Sequence, residues 1–261
     1  MTAAVELHRW EAGLGGTVLC VHETAASSEV WRPLADALGG RARTVAYDRR
    51  GWGRSEAPEP YLRTTVHEQS EDAARLLAES DAAGAVLCGA GLGAVAALDL
   101  LLRRPDLTLG PVLIEPTLLA FVEEATELLS EDGGALRRAV HDGGPAAGVD
   151  LYLSGELAAL GPGVQRLPKA LLAPARERPL SLFAELAAVP SWALPLSDMG
   201  QNQRPARIVV SPSSPGLLRS AAERLTARLG HAELRELPGD RPPHLDDPRG
   251  LATLILELSS G

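Results

Sequence analysis

Residues 84 to 94 read Gly-Ala-Val-Leu-Cys-Gly-Ala-Gly-Leu-Gly-Ala, an apolar run that passes into a glycine-rich turn and then into an apolar helix. A continuous apolar run of this kind suits a strand covered on both faces of a parallel sheet. The rhythm recurs along the chain. Thr17 to Val21 and Pro111 to Ile114 are further apolar runs, while Val5 to Trp10 and Arg43 to Tyr47 carry weaker strand patterns. Ser28 is the expected N-cap of a helix whose Val30, Trp31, Leu34, Ala35 and Leu38 share one face before Gly39-Gly40 ends it. Thr65-Val66-His67-Glu68 is a capping box that opens a helix to about Glu79, and another helix is expected from Leu92 to Arg103. Alternating strands and helices call for a mostly parallel sheet with helices on both faces.

From Thr117 to about Arg204 the strand signals vanish. Short amphipathic helices are expected there, broken at Gly133-Gly134, Gly143-Gly144-Pro145, Gly161-Pro162-Gly163 and Pro174. Strand and helix resume with Ala206 to Ser211, a helix from about Pro215 to Leu229, a strand at Glu233 to Leu237, a loop holding His244, and a last helix from about Pro248 to Leu258. The reading is an α/β, doubly wound, mostly parallel sheet built from residues 1–116 and 205–261, with a helical cap at 117–204.

Composition narrows the partners. A chain of 261 residues with 45% hydrophobic content suits one full-sized domain, and a formal charge of −9 argues against nucleic acid or an anionic membrane surface. The expected partner is a small molecule. Cys20 and Cys88 fall in buried strands and imply no disulfide framework. No His, Asp or Glu spacing matches a metal site, and no cofactor is expected. The first ten residues lack a basic start followed by an apolar stretch, and no window reaches a membrane span, so a cytoplasmic location is expected.

Four motifs in order carry a resemblance that covers nearly the whole chain. Val18-Leu19-Cys20-Val21-His22-Glu23-Thr24 ends a strand in a histidine loop, and Asp48-Arg49-Arg50-Gly51-Trp52-Gly53-Arg54-Ser55 forms an Asp-x-x-Gly-x-Gly-x-Ser turn. Gly89-x-Gly91-x-Gly93 has the spacing of a nucleophile elbow, G-x-S-x-G, with glycine in place of serine. Gly239 to Pro248 is similar to a C-terminal histidine loop. Together they resemble the α/β-hydrolase superfamily. That resemblance implies a helical cap inserted after the family's sixth strand, and an oxyanion hole formed by the amides of Thr24 and Leu92.

It also marks departures. Gly91 occupies the nucleophile position, Ser214 stands where many relatives place the acid, and Glu23 replaces the glycine that normally follows the strand's histidine. Glu115, which ends the preceding strand, is the alternative acid. In the last loop, counting back from Pro248 puts Arg241 at the catalytic place, whereas a reshaped loop would bring His244 there. His244 is favoured as the general base, with Glu115 behind it and Glu23 sharing the vacated space. His22, Trp31, Phe121 and Trp192 are expected to line the substrate space, with Tyr152 among the residues of an apolar lining supplied by the cap.

Losing the serine of a working triad costs ~2 × 10⁶ in kcat, so ordinary acyl-enzyme catalysis is excluded. Two readings of this fold follow. One is an enzyme using non-covalent acid/base and oxyanion-hole chemistry, as a lyase, cyclase, isomerase or hydrolase by direct water attack. The other is a catalytically silent binder of a small apolar molecule. A third reading takes Gly89-x-Gly91-x-x-Ala94 as a dinucleotide fingerprint for NAD or FAD, with Glu115 as the ribose acid.

Overall fold

A computed structural model describes residues 5–80 and 84–259. The strands are β1 (Arg9–Ala12), β2 (Thr17–Val21), β3 (Arg43–Tyr47), β4 (Ala85–Ala90), β5 (Thr108–Ile114), β6 (Ala206–Val210) and β7 (Ala232–Glu236). They form one sheet in the order β1-β3-β2-β4-β5-β6-β7, antiparallel only at β1. The first strand starts later than its sequence pattern suggests. Residues before it are tied to the turn after β3, where Glu56 donates its amide to the Glu6 carbonyl and His8 donates its own to the Ser55 hydroxyl.

Side-chain alternation along β2 shows how the sheet is covered. Leu19 and Val21 pack with helices α2 (Val66–Glu79), α3 (Leu92–Arg103) and α8 (Gly216–Thr226), while Val18 and Cys20 pack with α1 (Arg32–Leu38) and α10 (Pro248–Ser259). Each face thus buries its own apolar cluster, as a doubly wound sheet requires. Cys20 and Cys88 are register partners on neighbouring strands and fully buried, and burial pushes the Cys88 thiol well above its ordinary range. The capping box at Thr65 and Glu68 is present in both directions. The expected N-cap at Ser28 is instead the first residue of a 3-10 turn, Ser28–Trp31, capped by position at Ser27, and the Ser28 amide donates to the Asp48 carboxylate at 2.8 Å.

Between β5 and β6 the described residues form helices only: α4 (Ala125–Ser154), α5 (Ala173–Glu177), α6 (Pro179–Leu186) and α7 (Leu196–Gln201), besides short 3-10 turns. The insertion follows β5, the fifth strand among the described residues of this chain. Gly133-Gly134 does not break α4. The break falls at Gly144, whose φ of 75° lies outside the helical region, just before Pro145. A separate apolar cluster, with Leu136, Tyr152 and Leu182 around Trp52, forms the core of this region. Among the described residues no helix is long and apolar enough to cross a membrane.

Candidate active site

The carboxyl ends of the parallel strands meet the insertion around a cavity of about 390 Å³, where ligand chemistry gathers in open α/β sheets. Its floor is the turn between β4 and α3. Gly91 has φ 55° and ψ −120° and donates its amide to the Ile114 carbonyl at 3.0 Å. Such a turn lifts its central residue above the strand ends and aims the following amide at the space over the sheet. The close approach of α3 to β2 depends on Gly93, where a Cβ would lie 2.2 Å from the Val21 carbonyl oxygen.

Thr24 and Leu92 both line the cavity. Leu92 is the first residue of α3, so its amide has no acceptor within the helix. The Thr24 amide has no backbone acceptor among the described residues. Two free amides beside one cavity floor can stabilise a developing oxyanion.

His244 and Glu23 meet beside Gly91. His244 sits on the short helix α9 (Pro243–Asp246), fully buried, with its ring centroid 4.9 Å from that of Trp31. Its Nε2 lies 3.4 Å from Oε1 of Glu23. Apart from that contact, neither imidazole nitrogen and neither carboxylate oxygen has a hydrogen-bond partner among the described residues. Burial pushes the Glu23 carboxyl up, but the charge and hydrogen bond of His244 outweigh it and hold Glu23 below its ordinary range. Arg241, the rival for the catalytic place, is half exposed and bound to Asp246, and it does not line the cavity.

The expected pairing of His244 with Glu115 is not formed. Glu115 lines the cavity, but both its oxygens accept from Arg166 Nη1 at 2.7 and 2.9 Å, and Oε1 also accepts from the Ser214 hydroxyl at 2.5 Å. An arginine from the insertion has captured the carboxylate, a partner that no local spacing announces. Arg166 also donates to Ser211 and Ser213 and to the Asp240 carbonyl, tying the insertion to the ends of β5, β6 and the histidine loop.

None of His22, Trp31, Phe121 and Trp192 lines the cavity. His22 is fully buried, its Nδ1 bonded to the Glu23 carbonyl at 2.7 Å and its Nε2 accepting the Arg49 amide at 2.9 Å. Because Nε2 must accept, Nδ1 carries the proton and the ring is neutral. Trp31 backs His244, Trp192 donates to Asp99 at 2.8 Å, and Phe121 lies under Arg228. Aromatic size suggested lining, yet each ring is used for packing or hydrogen bonding behind the wall.

Sequence reasoning missed Glu185 on the cavity wall, whereas Tyr152, expected there only as part of an apolar lining, does line it. Glu185 pairs with Arg49 in a fully buried ion pair and accepts from Trp52 Nε1 at 2.6 Å. A lone acid within the apolar run Ser181 to Leu186, together with the arginines of the Asp48 to Ser55 turn, was the available signal. No group of three or more His, Cys, Asp or Glu is placed to hold a metal among the described residues.

A model of the alpha/beta hydrolase family matches residues 15–254. Among curated proteins, a 2-(acetamidomethylene)succinate hydrolase from Mesorhizobium japonicum is 30% identical over 152 residues, 58% of this chain and 52% of that protein. An epoxide hydrolase from Caballeronia sordidicola is 37% identical over 107 residues, 40% of this chain and 32% of that protein. The matched stretches thus span about a third to a half of those relatives. Among solved structures, a thermophilic esterase from Thermogutta terrifontis superposes with a TM-score of 0.75 at 17% identity, covering 98% of this chain and 93% of that one. The enol-lactonase from Burkholderia xenovorans LB400 gives 0.72 at 18%, covering 98% and 97%. The fold is therefore that of α/β hydrolases, and the dinucleotide reading falls with it. Gly93 serves helix-to-strand packing, and Glu115 is bonded to Arg166 and Ser214.

Proposed function

Given that the chain belongs to the alpha/beta hydrolase family, we propose that it hydrolyses a small, largely apolar ester or lactone by direct attack of water, without a covalent intermediate. The observation that carries this reading is the Glu23–His244 contact of 3.4 Å beside Gly91, next to the amides of Thr24 and Leu92. Four polar atoms left without other partners in one buried contact are costly, and such a cost is tolerated chiefly where the groups have work to do. The names of the hydrolase, esterase and lactonase relatives agree with acyl chemistry.

In this mechanism the water oxygen adds to the acyl carbon while one water proton passes to the Glu23–His244 pair. The amides of Thr24 and Leu92 hold the oxyanion as the carbonyl becomes tetrahedral. Collapse breaks the acyl–oxygen bond, and the leaving alkoxide takes the proton back from the pair. Glu23 replaces serine as the group nearest the elbow, with proton transfer as its task. His244 keeps the carboxylate ionised between turnovers.

One observation favours a second reading. Both carboxylate oxygens of Glu23 are buried and Oε1 faces the imidazole, an arrangement that also suits a silent binder whose former catalytic centre is plugged. Rapid-mixing kinetics with a neutral activated ester separate the two. Steady turnover with no burst of alcohol and no acyl adduct by mass spectrometry is expected; a stoichiometric burst would contradict the non-covalent mechanism, and binding without turnover would leave the binder.

A further inference from the structure

Tyr152 brings a phenol from the insertion to the cavity wall. It is 5% exposed, lines the cavity, and has its ring 3.1 Å from where a Cβ on Gly161 would stand. Gly161 therefore leaves room for the ring to approach the chain closely. Its hydroxyl has no hydrogen-bond partner among the described residues, unlike the buried carboxylates around it. Glu115 and Glu185 are each held by an arginine and Glu23 by His244. Burial, then Glu185 and Glu23, keep the proton on the phenol far above its ordinary range. On a cavity-wall residue and without a protein partner, the hydroxyl is a neutral donor available to a ligand.

The rest of the wall sets the charge of what it meets. Glu23, Glu115 and Glu185 line the cavity and, among the described residues, no arginine or lysine does. An anionic ligand would lose its hydration without gaining a free cation, because Arg166, Arg49 and His244 are each already engaged by a carboxylate. A neutral oxygen acceptor avoids this cost.

We infer that Tyr152 is a specificity-determining residue that donates a hydrogen bond to a second, uncharged oxygen of the substrate, remote from the acyl carbonyl held by Thr24 and Leu92. The substrate class is then a neutral ester or lactone carrying an ether, hydroxyl or carbonyl oxygen, and carboxylate-bearing analogues are refused. This rests on the hydrolytic reading only for the word substrate, since the same contact would serve a bound ligand. Ligand length is limited by the 390 Å³ of the cavity.

The test uses unreactive ketones and isothermal titration calorimetry on the full chain. Three series of matched length are compared: 2-alkanones ending in a methoxy group, plain 2-alkanones, and the oxo-alkanoates ending in carboxylate. At one chain length the methoxy ketone is expected to bind up to about tenfold tighter than the plain ketone, the reach of one neutral hydrogen bond, and the oxo-alkanoate to show no measurable binding. Tyr152→Phe, which keeps the ring, should erase the methoxy preference, so that the methoxy and plain ketones bind this variant equally. A preference that survives in Tyr152→Phe, its absence at every length in the wild type, or an oxo-alkanoate binding as well as the methoxy ketone would overturn the assignment. Because the ligands are unreactive, the outcome is independent of whether the chain turns over esters.

Discussion

A Cβ at position 91 would lie 3.0 Å from the Cβ of Glu23, so the residue after the strand's histidine and the residue at the elbow compete for the same space. Few Cβ contacts are that tight, and Gly91 also has a φ of +55°. Substitutions at the two positions should therefore be coupled. Gly91→Ser is expected to destabilise the fold by ~1–3 kcal/mol through overpacking. Adding Glu23→Gly should recover part of that loss. Urea unfolding of the two single variants and the double measures the coupling; strict additivity would show that the residues do not compete.

His22 predicts how stability responds to acid. Burial, with the Arg49 charge, lowers its pKa from 6.5 to about 4. Below pH 6.5 the unfolded chain takes up a proton that the folded chain refuses, until the folded form also titrates near pH 4. Stability should therefore fall by ~3 kcal/mol across that window. The comparison is His22→Gln, which lacks the group and should lose this part of the slope while the carboxylates keep theirs. Equal slopes from pH 6.5 to 4 in both proteins would contradict the buried neutral histidine.

Arg166 should act as a clamp between insertion and sheet. Its side chain and that of Glu115 are both about nine-tenths buried, so Arg166→Met leaves a carboxylate without its cation. A loss of ~3 kcal/mol is expected, because breaking a buried pair exposes the full cost of the remaining charge. Hydrogen exchange should quicken around residues 164–167 and 239–241, the two segments the arginine ties together. Exchange and stability like those of the wild type would assign the contact no role in holding the insertion.

Much of the frame was legible in the sequence, because strands covered on both faces must be apolar throughout and helices must end at residues such as Gly39. The glycine turn at 91 and the capping box at Thr65 followed from local chemistry alone. The break in α4 was less legible. Gly133-Gly134 and Gly144-Pro145 look alike as helix breakers, yet a helix tolerates glycines whose neighbours continue it and not a proline that removes an amide. Within the site, the meeting of Glu23 with His244 was foreseen from the odd glutamate after His22. Glu115 was assigned the wrong partner, since Arg166 lies 51 residues away on the insertion and only tertiary packing brings it in. Glu185 was overlooked for the same reason, and Tyr152 was read only as part of an apolar lining.

The central claim is that Glu23, with His244, moves the proton. It is tested most directly by kcat/KM for a neutral activated ester in the wild type and in Glu23→Gln, which keeps the shape and removes the charge. The account predicts measurable turnover by the wild type and a fall of ~10²–10⁴ in the variant, the usual contribution of a positioned general base. Turnover retained in Glu23→Gln, or none in a wild type that binds the ester, would contradict it.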